Sequence, residues 1–260
     1  MSRFDPHPSR RPALISGASS GIGAATAREL ARLGHPVALG ARRAEVCEEL
    51  AAEIRDARGE AFAGRLDVTD PASIDAFVTA AEEALGPLEI IVSGAGDLRV
   101  GLIHEMDPEV FTAQIDVHLN GAQRLVSRTV PGMVERRRGD VVVIGSDVVR
   151  APRPRSGAYV AAKSGLEALA EQMRMELEGT GVRVSVVRPG QTQTGMGTDM
   201  SAEDVGPLLE DWARWGLARH PNFLQAQDLA AAVATCVTSR RGAHVTLIEV
   251  QPEAPVARAD

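Results

Sequence analysis

Lysine and tyrosine are almost absent from this sequence of 260 residues. The chain has 28 Lys and Arg residues together, but only Lys163 is a lysine, which leaves 27 arginines. Tyr159 is the only tyrosine, and it precedes Lys163 by four residues in the stretch GAYVAAKSG. Because lysine offers a compact ammonium where arginine offers a wide planar fork, this pairing indicates that the position requires an ammonium group.

Aromatic residues and cysteine are also scarce. Phe, Trp and Tyr make up 3% of the chain, so we expect a core built mainly from Ala, Val, Leu and Ile. The two cysteines, Cys47 and Cys236, lie far apart and show no spacing typical of a metal site. We therefore predict two buried free thiols, as in a reducing compartment, rather than a disulfide.

Long apolar runs and basic tracts are missing. No apolar stretch approaches the length of a membrane-spanning helix, and the opening stretch MSRFDPHPSRRPALIS lacks the apolar segment of a signal peptide. We expect a cytoplasmic protein whose residues 1–11 form a mobile polar arm. The net charge of −7 and the absence of a basic tract longer than Arg136–Arg138 argue against a nucleic-acid partner.

Short aliphatic runs alternate with longer helical patterns. The predicted strands are Pro12–Ser16, Pro36–Gly40, Ala61–Val68, Glu89–Gly94, Asp140–Ser146, Arg183–Gly190 and His244–Val250. The predicted helices are Gly21–Leu33, Ala44–Arg58, one that begins near Pro71, Pro108–Arg136, Ser156–Glu178 and Ala226–Thr238. Apolar strands separated by helices are typical of a parallel sheet covered on both faces. The sequence therefore predicts the α/β class, with one doubly wound, Rossmann-like domain of about seven strands over residues 12–260.

A glycine-rich turn, SGASSGIG, joins the first predicted strand to the first predicted helix. Its glycines are Gly17, Gly21 and Gly23. Glycine allows the backbone to turn tightly and to approach a phosphate group, which the amides at the start of the helix then face. A loop without a ligand is the alternative, but the position in the first strand-to-helix turn favours a nucleotide site.

The Tyr159–Lys163 pair lies on one helix face, and Ser146 precedes it at the end of the fifth predicted strand. An ammonium beside a phenol stabilises the phenolate and lowers the pKa of the phenol. Together with the Gly-x-x-x-Gly-x-Gly turn, the interval from Ser146 to Tyr159 resembles the short-chain dehydrogenase/reductase family in its compact branch. The resemblance implies hydride transfer between a nicotinamide and a carbonyl carbon, with Ser146 binding the carbonyl oxygen and Tyr159 donating its proton.

The resemblance also implies which residues contact the cofactor. They are Gly17, Ser19, Ser20, Gly21, Ile22, Gly23, Arg42, Arg43, Asp67, Val68, Ser93, Gly94, Ala95, Tyr159, Lys163, Pro189, Gly190, Thr192 and Thr194. An acid that would bind the ribose of NAD is absent at Ala41, and Arg42 and Arg43 follow it. Arginine suits the 2′-phosphate of NADP, so we expect NADP(H), although two arginines before a helix also fit plain surface charge. The resemblance implies that Arg42 is the better candidate of the two, with Ser20 assisting.

The chain departs from the family pattern at three positions. His118, in the stretch VHLNG, stands where the family has a catalytic Asn, and Asn120 is rotated from it by about 200° around a helix. We assign His118 as the fourth catalytic residue, with a packing substitution as the alternative. Ser93 and Gly94 replace two asparagines of the family at the end of the fourth strand.

Two functions stay open at this stage. The first is an NADP(H)-dependent ketoreductase or alcohol dehydrogenase that acts on a largely apolar ketone or secondary alcohol, as a homodimer or homotetramer. The second is a catalytically silent NADP-binding regulatory or scaffold protein of the same fold. Residues 195–221 correspond to the segment that covers the substrate in the family. Trp212 and Trp215 in this segment either wall a pocket or pack elsewhere.

Overall fold

A parallel sheet with helices on both faces forms the centre of the molecule. The computed structural model describes residues 4–194, 202–217, 220 and 222–256. Its strands are β1 (Ala13–Ser16), β2 (Val37–Ala41), β3 (Ala61–Arg65), β4 (Ile90–Ser93), β5 (Gly139–Ile144), β6 (Val182–Pro189), β7 (Thr192–Gln193), β8 (Leu224–Gln225) and β9 (Leu247–Val250). Its α-helices are α1 (Gly21–Arg32), α2 (Ala44–Asp56), α3 (Pro71–Leu85), α4 (Pro108–Ile115), α5 (Gly121–Glu135), α6 (Gly157–Glu176), α7 (Ala202–Arg214) and α8 (Ala226–Thr238).

The strand order makes the central strands the site of ligand chemistry. Seven strands pair in parallel in the order β3-β2-β1-β4-β5-β6-β9, so the predicted fold class is confirmed. The order reverses direction between β1 and β4, where Ser16 pairs with Ser93. In such open sheets, ligands bind outside the carboxyl ends of the strands at this reversal.

Each face of the sheet has its own aliphatic core. Successive residues of a strand point to opposite faces, so Ile15 belongs to the core under α1, α2 and α8, while Leu14 belongs to the core under α3, α5 and α6. Cys47 and Cys236 lie in the first of these cores as free thiols, which confirms the prediction that they are buried and unpaired. Burial raises the pKa of each thiol to about 11, which leaves both unreactive.

The predicted boundaries were wrong at three elements. The long helix predicted over Pro108–Arg136 is divided by one π-helical turn, Asp116–Asn120, between α4 and α5. The third strand ends at Arg65, because the amide of Asp67 donates to the hydroxyl of Ser73 and not to the sheet. The last strand begins at Leu247 and not at His244. The imidazole of His244 forms a hydrogen bond to the carbonyl of Val184.

The predicted arm of residues 1–11 needs correction at its inner end. Arg11 is 1% exposed, and its guanidinium binds Glu89 and Asp140, which lie at the amino ends of β4 and β5. Arg10 forms an ion pair with Glu60 at 2.7 Å. Arg11 therefore belongs to the packed domain, whereas Arg10 lies at its surface. Within the described residues, no helix combines the length and apolarity needed to cross a membrane.

Candidate active site

The glycine turn packs directly on the end of β4. Gly17 has a φ of +75°, and a Cβ there would lie 2.8 Å from the carbonyl oxygen of Gly94. A Cβ at Gly23 would lie 2.3 Å from the carbonyl oxygen of Gly17. Only glycine fits either position, so the sequence pattern reflects close backbone packing at the reversal of strand order.

The hydroxyl of Ser16 holds the same strand end in place. Its Oγ accepts hydrogen bonds from the amides of Gly94 and Ala95, at 3.1 and 3.2 Å. Ser93, which pairs with Ser16 across the sheet, is buried. The segment Ser93–Ala95, predicted to contact the cofactor, thus lies beside the glycine turn, fixed by a serine at the start of that turn.

The amino end of α1 is open toward this turn. Ser20 occupies the N-cap position, but its hydroxyl makes no hydrogen bond to the amides of the first turn, which begins with Gly21 and Ile22. A Cβ at Gly21 would lie 3.1 Å from the Cβ of Thr194, so the loop after β6 closes over the glycine turn. Uncapped amides at a helix start favour an anion.

The two arginines after β2 lie at the edge of the turn. Arg43 donates to the hydroxyl of Ser19 at 3.0 Å, and both Arg42 and Arg43 are exposed. Hydrogen bonds from Thr69 hold the pKa of Asp67 below its usual range, and the charge of Arg42 acts in the same direction. Arg43, rather than Arg42, is thus the arginine tied to the glycine turn.

Val68, Pro189, Gly190 and Thr192 complete the predicted set at the same edge of the sheet. Val68 is buried and packs on Gly121, where a Cβ would lie 2.7 Å from a Val68 methyl group. Pro189 ends β6, the amide of Gly190 donates to the carbonyl of Val250, and the hydroxyl of Thr192 donates to the carbonyl of Gly190. These contacts shape the loop that leads to Thr194.

Ser146 and Tyr159 meet at the carboxyl end of β5. Ser146 lies close enough to Tyr159 for a hydrogen bond between them to affect the pKa of the phenol, and the Ser146 Oγ accepts from the amide of Val148 at 3.4 Å. Burial raises the pKa of Tyr159, and the bond to Ser146 opposes that rise. The interval between the two residues in the sequence thus becomes a direct contact.

Lys163 lies behind this pair, one turn along α6. It is 5% exposed, its Nζ donates to the carbonyl of Ile144 at 2.7 Å, and its Nζ lies 5.6 Å from the centroid of the Tyr159 ring. Burial lowers the pKa of Lys163 to about 8, while the charge of Glu167 acts to raise it.

Burial is the largest influence on the pKa of Tyr159 and raises it, while the charge of Arg153 acts to lower it. The ammonium group of Lys163 donates to the backbone of β5 and lies 5.6 Å from the centroid of the phenol ring. Its effect on the pKa of Tyr159 stays a prediction.

His118 occupies the π-helical turn and is 2% exposed. Its Nε2 lies 2.7 Å from the carbonyl oxygen of Asp97, so this nitrogen carries the proton that it donates. Its ring stands edge-on to that of Tyr159, with centroids 5.2 Å apart. Burial, followed by the charge of Lys163, lowers the pKa of His118 to about 3, so the imidazole is neutral.

An ion pair lies beside the site. Asp147 directly follows Ser146, and its Oδ2 accepts a hydrogen bond from Arg153 at 2.6 Å. The guanidinium of Arg153 lies over the ring of Trp212, 5.3 Å from its centroid, whereas Trp215 is 68% exposed. In the sequence, Asp147, Arg150, Arg153 and Arg155 are charges near the site that fit either recognition of an acidic substrate or solvated loop residues, and the ion pair is visible only in the structure. Of the predicted substrate-covering segment, residues 195–201, 218, 219 and 221 lie outside the described residues.

Comparisons with known proteins agree with this geometry. Residues 11–204 match the family model for short chain dehydrogenases. The chain is 36% identical over 245 residues to glycine betaine reductase ATRR of Emericella nidulans, a match that covers 93% of this chain but only 18% of that protein. It is 34% identical over 244 residues to 2,3-dihydro-2,3-dihydroxybenzoate dehydrogenase of Bacillus subtilis, covering 90% of this chain and 91% of that protein.

A solved structure supports the same conclusion. The alcohol dehydrogenase of the archaeon Thermococcus sibiricus, complexed with 5-hydroxy-NADP, superposes with a TM-score of 0.81 at 27% identity. The superposition covers 96% of this chain and 100% of that chain. With the family model matched over most of the sequence, and with the glycine turn, Ser146, Tyr159 and Lys163 gathered at one edge of the sheet, the chain belongs to the short-chain dehydrogenase family of oxidoreductases.

Proposed function

We propose that this protein is an NADP(H)-dependent oxidoreductase that interconverts a ketone and a secondary alcohol. The observation that carries this proposal is the proximity of Ser146 and Tyr159 at the end of β5, with the buried ammonium of Lys163 5.6 Å from the phenol ring. All three lie at the carboxyl edge of the sheet, which also carries the glycine turn. In the proposal, the nicotinamide end of a bound dinucleotide lies beside these three residues.

The residues at the glycine turn fit a dinucleotide. Any Cβ at Gly17 or Gly23 would fill space that the backbone already occupies, so the turn is as tight as a pyrophosphate site requires. The uncapped amides at the start of α1 offer hydrogen bonds to phosphate oxygens, and Thr194 lies against the same turn. The nicotinamide, when bound, supplies or accepts the hydride.

The choice of NADP rests on charge at the end of β2. Ala41 ends that strand without a carboxylate, so nothing there repels a 2′-phosphate. Arg43 is held at the rim of the turn by Ser19, and Arg42 lies next to it. The related alcohol dehydrogenase from Thermococcus sibiricus was solved with 5-hydroxy-NADP, which supports the same choice.

Each residue of the chemical site has a distinct task in this proposal. Tyr159 donates the proton to the carbonyl oxygen during reduction, and Ser146 orients that oxygen by a hydrogen bond. Lys163 binds ribose hydroxyls through its ammonium group and adds positive charge beside the phenol, at 5.6 Å from the ring centroid. His118 holds the Asp97 backbone and the Tyr159 ring in position, in place of the family's Asn.

We place the substrate between the loop after β5 and α7. The ring of Trp212 on α7 is apolar and lies against that loop through Arg153, which suits a largely apolar substrate. We further propose that residues 195–221 form the segment that covers the substrate. We also propose that the protein is cytoplasmic and that it forms a homodimer or homotetramer.

The test is a screen for NADPH oxidation against ketones and quinones, with the Tyr159→Phe variant as the decisive control. We expect turnover in the wild type and a loss of about 10²-fold or more in the variant, with cofactor binding retained. Ser146→Ala should also lose turnover, whereas Ser127→Ala, an exposed serine on α5, should not. Turnover that survives Tyr159→Phe would reject the assigned acid. NADPH binding without turnover of any substrate would favour the silent alternative.

A further inference from the structure

A buried ion pair next to Ser146 has no task in the proposed mechanism. Asp147 is 8% exposed and binds Arg153, whose side chain is also largely covered, at 13% exposure. The ring of Trp212 covers the guanidinium, 5.3 Å from ring centroid to guanidinium carbon. A second ion pair, Arg155 with Asp211 at 2.8 Å, joins the same loop to α7. The cluster of Asp147, Arg153 and Trp212 is therefore a built part of the site, because it is shielded and held from two sides.

This cluster lies close enough to Tyr159 to affect the reacting phenol. Asp147 raises the pKa of Tyr159 and Arg153 lowers it, in addition to the effects of burial and Ser146. Asp147 also directly follows Ser146, which is proposed to orient the substrate carbonyl. A group carried near that carbonyl would therefore meet this cluster.

Two polar atoms of the cluster are shielded from solvent and have no hydrogen-bond partner among the described residues. They are the Oδ1 of Asp147 and the Nε1 of Trp212. A carboxylate oxygen can only accept a hydrogen bond, and an indole N–H can only donate one. Buried polar atoms without partners are unfavourable, so their presence beside a reacting group points to a ligand that supplies the partners.

We propose that Asp147 and Trp212 bind a hydroxyl group of the substrate, so that the enzyme acts on hydroxy ketones and the matching diols. A hydroxyl both donates and accepts, so it has the hydrogen-bonding capacity that these two atoms require. A substrate carboxylate would only accept and would face the charge of Asp147, while an ammonium group would only donate. Because Arg153 balances the charge of Asp147, the cluster suits a neutral substrate.

This inference rests on the proposed function and leaves its chemistry unchanged. In reduction, the carbonyl carbon takes up the hydride and the carbonyl oxygen takes up the proton of Tyr159. The neighbouring hydroxyl keeps all its atoms, and the product is a diol. In the reverse direction, the diol loses one hydride and one proton to give the hydroxy ketone.

The experiment compares acetophenone with 2-hydroxyacetophenone, which differ by one hydroxyl group, by following NADPH oxidation by the full chain. We expect a kcat/KM about tenfold or more higher for the hydroxy ketone in the wild type, as a hydrogen bond to a charged group allows. Asp147→Asn should reduce this preference to about twofold or less. Arg150→Gln, an exposed residue of the same loop, should leave the preference unchanged.

Trp212→Phe provides a second variant in case Asp147→Asn does not fold. It keeps an aromatic ring for Arg153 but removes the N–H donor together with part of the indole, so we expect a partial loss of the hydroxyl preference. An unchanged preference in a folded Asp147→Asn or Trp212→Phe variant would overturn the inference, as would a wild type without any preference. Faster turnover of phenylglyoxylate than of the hydroxy ketone would indicate an anion site and would overturn it too. Wild-type turnover of acetophenone itself reports on the proposed function alone.

Discussion

The imidazole of His118 stands edge-on to the phenol of Tyr159, with ring centroids 5.2 Å apart and ring planes at 84°. The contact exists because the chain forms a π-helical turn over Asp116–Asn120. Such a turn inserts one extra residue into a helix and changes the direction of the side chains that it carries. The neutral ring of His118 then bonds the carbonyl of Asp97 and packs on the proposed acid.

We predict that His118→Asn keeps or raises turnover. An asparagine amide can donate to the carbonyl of Asp97 as the Nε2 of His118 does, and Asn is the family residue at this position. The measurement is kcat and kcat/KM for NADPH oxidation with the best substrate from the screen. Loss of all turnover in a folded variant would show that the imidazole has a role of its own.

Gly96→Ala should damage the site through His118. A Cβ at this position would lie 2.3 Å from the Cε1 of the His118 ring, so the ring must move. We expect a loss of about 1–3 kcal/mol in the free energy of unfolding, together with lower turnover. The loss should shrink in the His118→Asn background, because the smaller side chain leaves room, and a double-mutant cycle measures this coupling. Equal losses in both backgrounds would contradict the contact.

The pH dependence of activity should report on Lys163. Burial lowers its pKa to about 8, so the ammonium form declines as the pH rises through this value, and kcat/KM should fall with it. Glu167 acts to raise the pKa of Lys163, so Glu167→Gln should lower that pKa and move the alkaline limb of the profile to lower pH.

The matched control for this shift is Glu171→Gln, on the exposed side of the same helix, where the side chain is 73% exposed. This variant should leave the pH profile in place. A profile that moves equally in both variants, or moves to higher pH in Glu167→Gln, would contradict the electrostatic assignment.

Arg43→Ala should weaken the binding of NADPH more than that of NADH. Its guanidinium is held at the glycine turn by Ser19, at 3.0 Å, where a 2′-phosphate would lie in the proposal. A charge-assisted hydrogen bond of this kind supports an increase of about tenfold in the KM for NADPH. Arg32→Ala, at the far end of α1, should change neither KM. An equal effect on both cofactors would contradict a role in selecting the phosphate.

Asp140→Asn should destabilise the fold without any direct effect on the site. Asp140 is 3% exposed and binds both Arg11 and Arg183 at the amino ends of the strands. Removing its charge leaves the buried guanidinium of Arg183 without a carboxylate partner and leaves Arg11 with Glu89 alone, which should lower the free energy of unfolding by about 3–5 kcal/mol. Asp75→Asn, which breaks an exposed pair with Arg128, should change it by less than about 1 kcal/mol. Urea unfolding measures both, and similar values would contradict the prediction.

The sequence by itself determined the sheet and most of the site. Apolar runs between helical patterns are a local signal, so the parallel sheet and its order of elements could be predicted from it. The glycine turn and the interval from Ser146 to Tyr159 can also be recognised from the sequence alone. They place backbone and hydroxyl groups at the carboxyl ends of neighbouring strands, where the fold brings them together.

Only the tertiary structure decided how these groups are tuned and what surrounds them. The π-helical turn has no local sequence signature, and it sets the position of His118. Burial, which depends on every packed neighbour, raises the pKa of Tyr159 and lowers that of Lys163. Asp147 and Arg153 lie close together along the chain, but Trp212 lies far from both, so only the packing of α7 on the loop after β5 reveals the cluster that the three form.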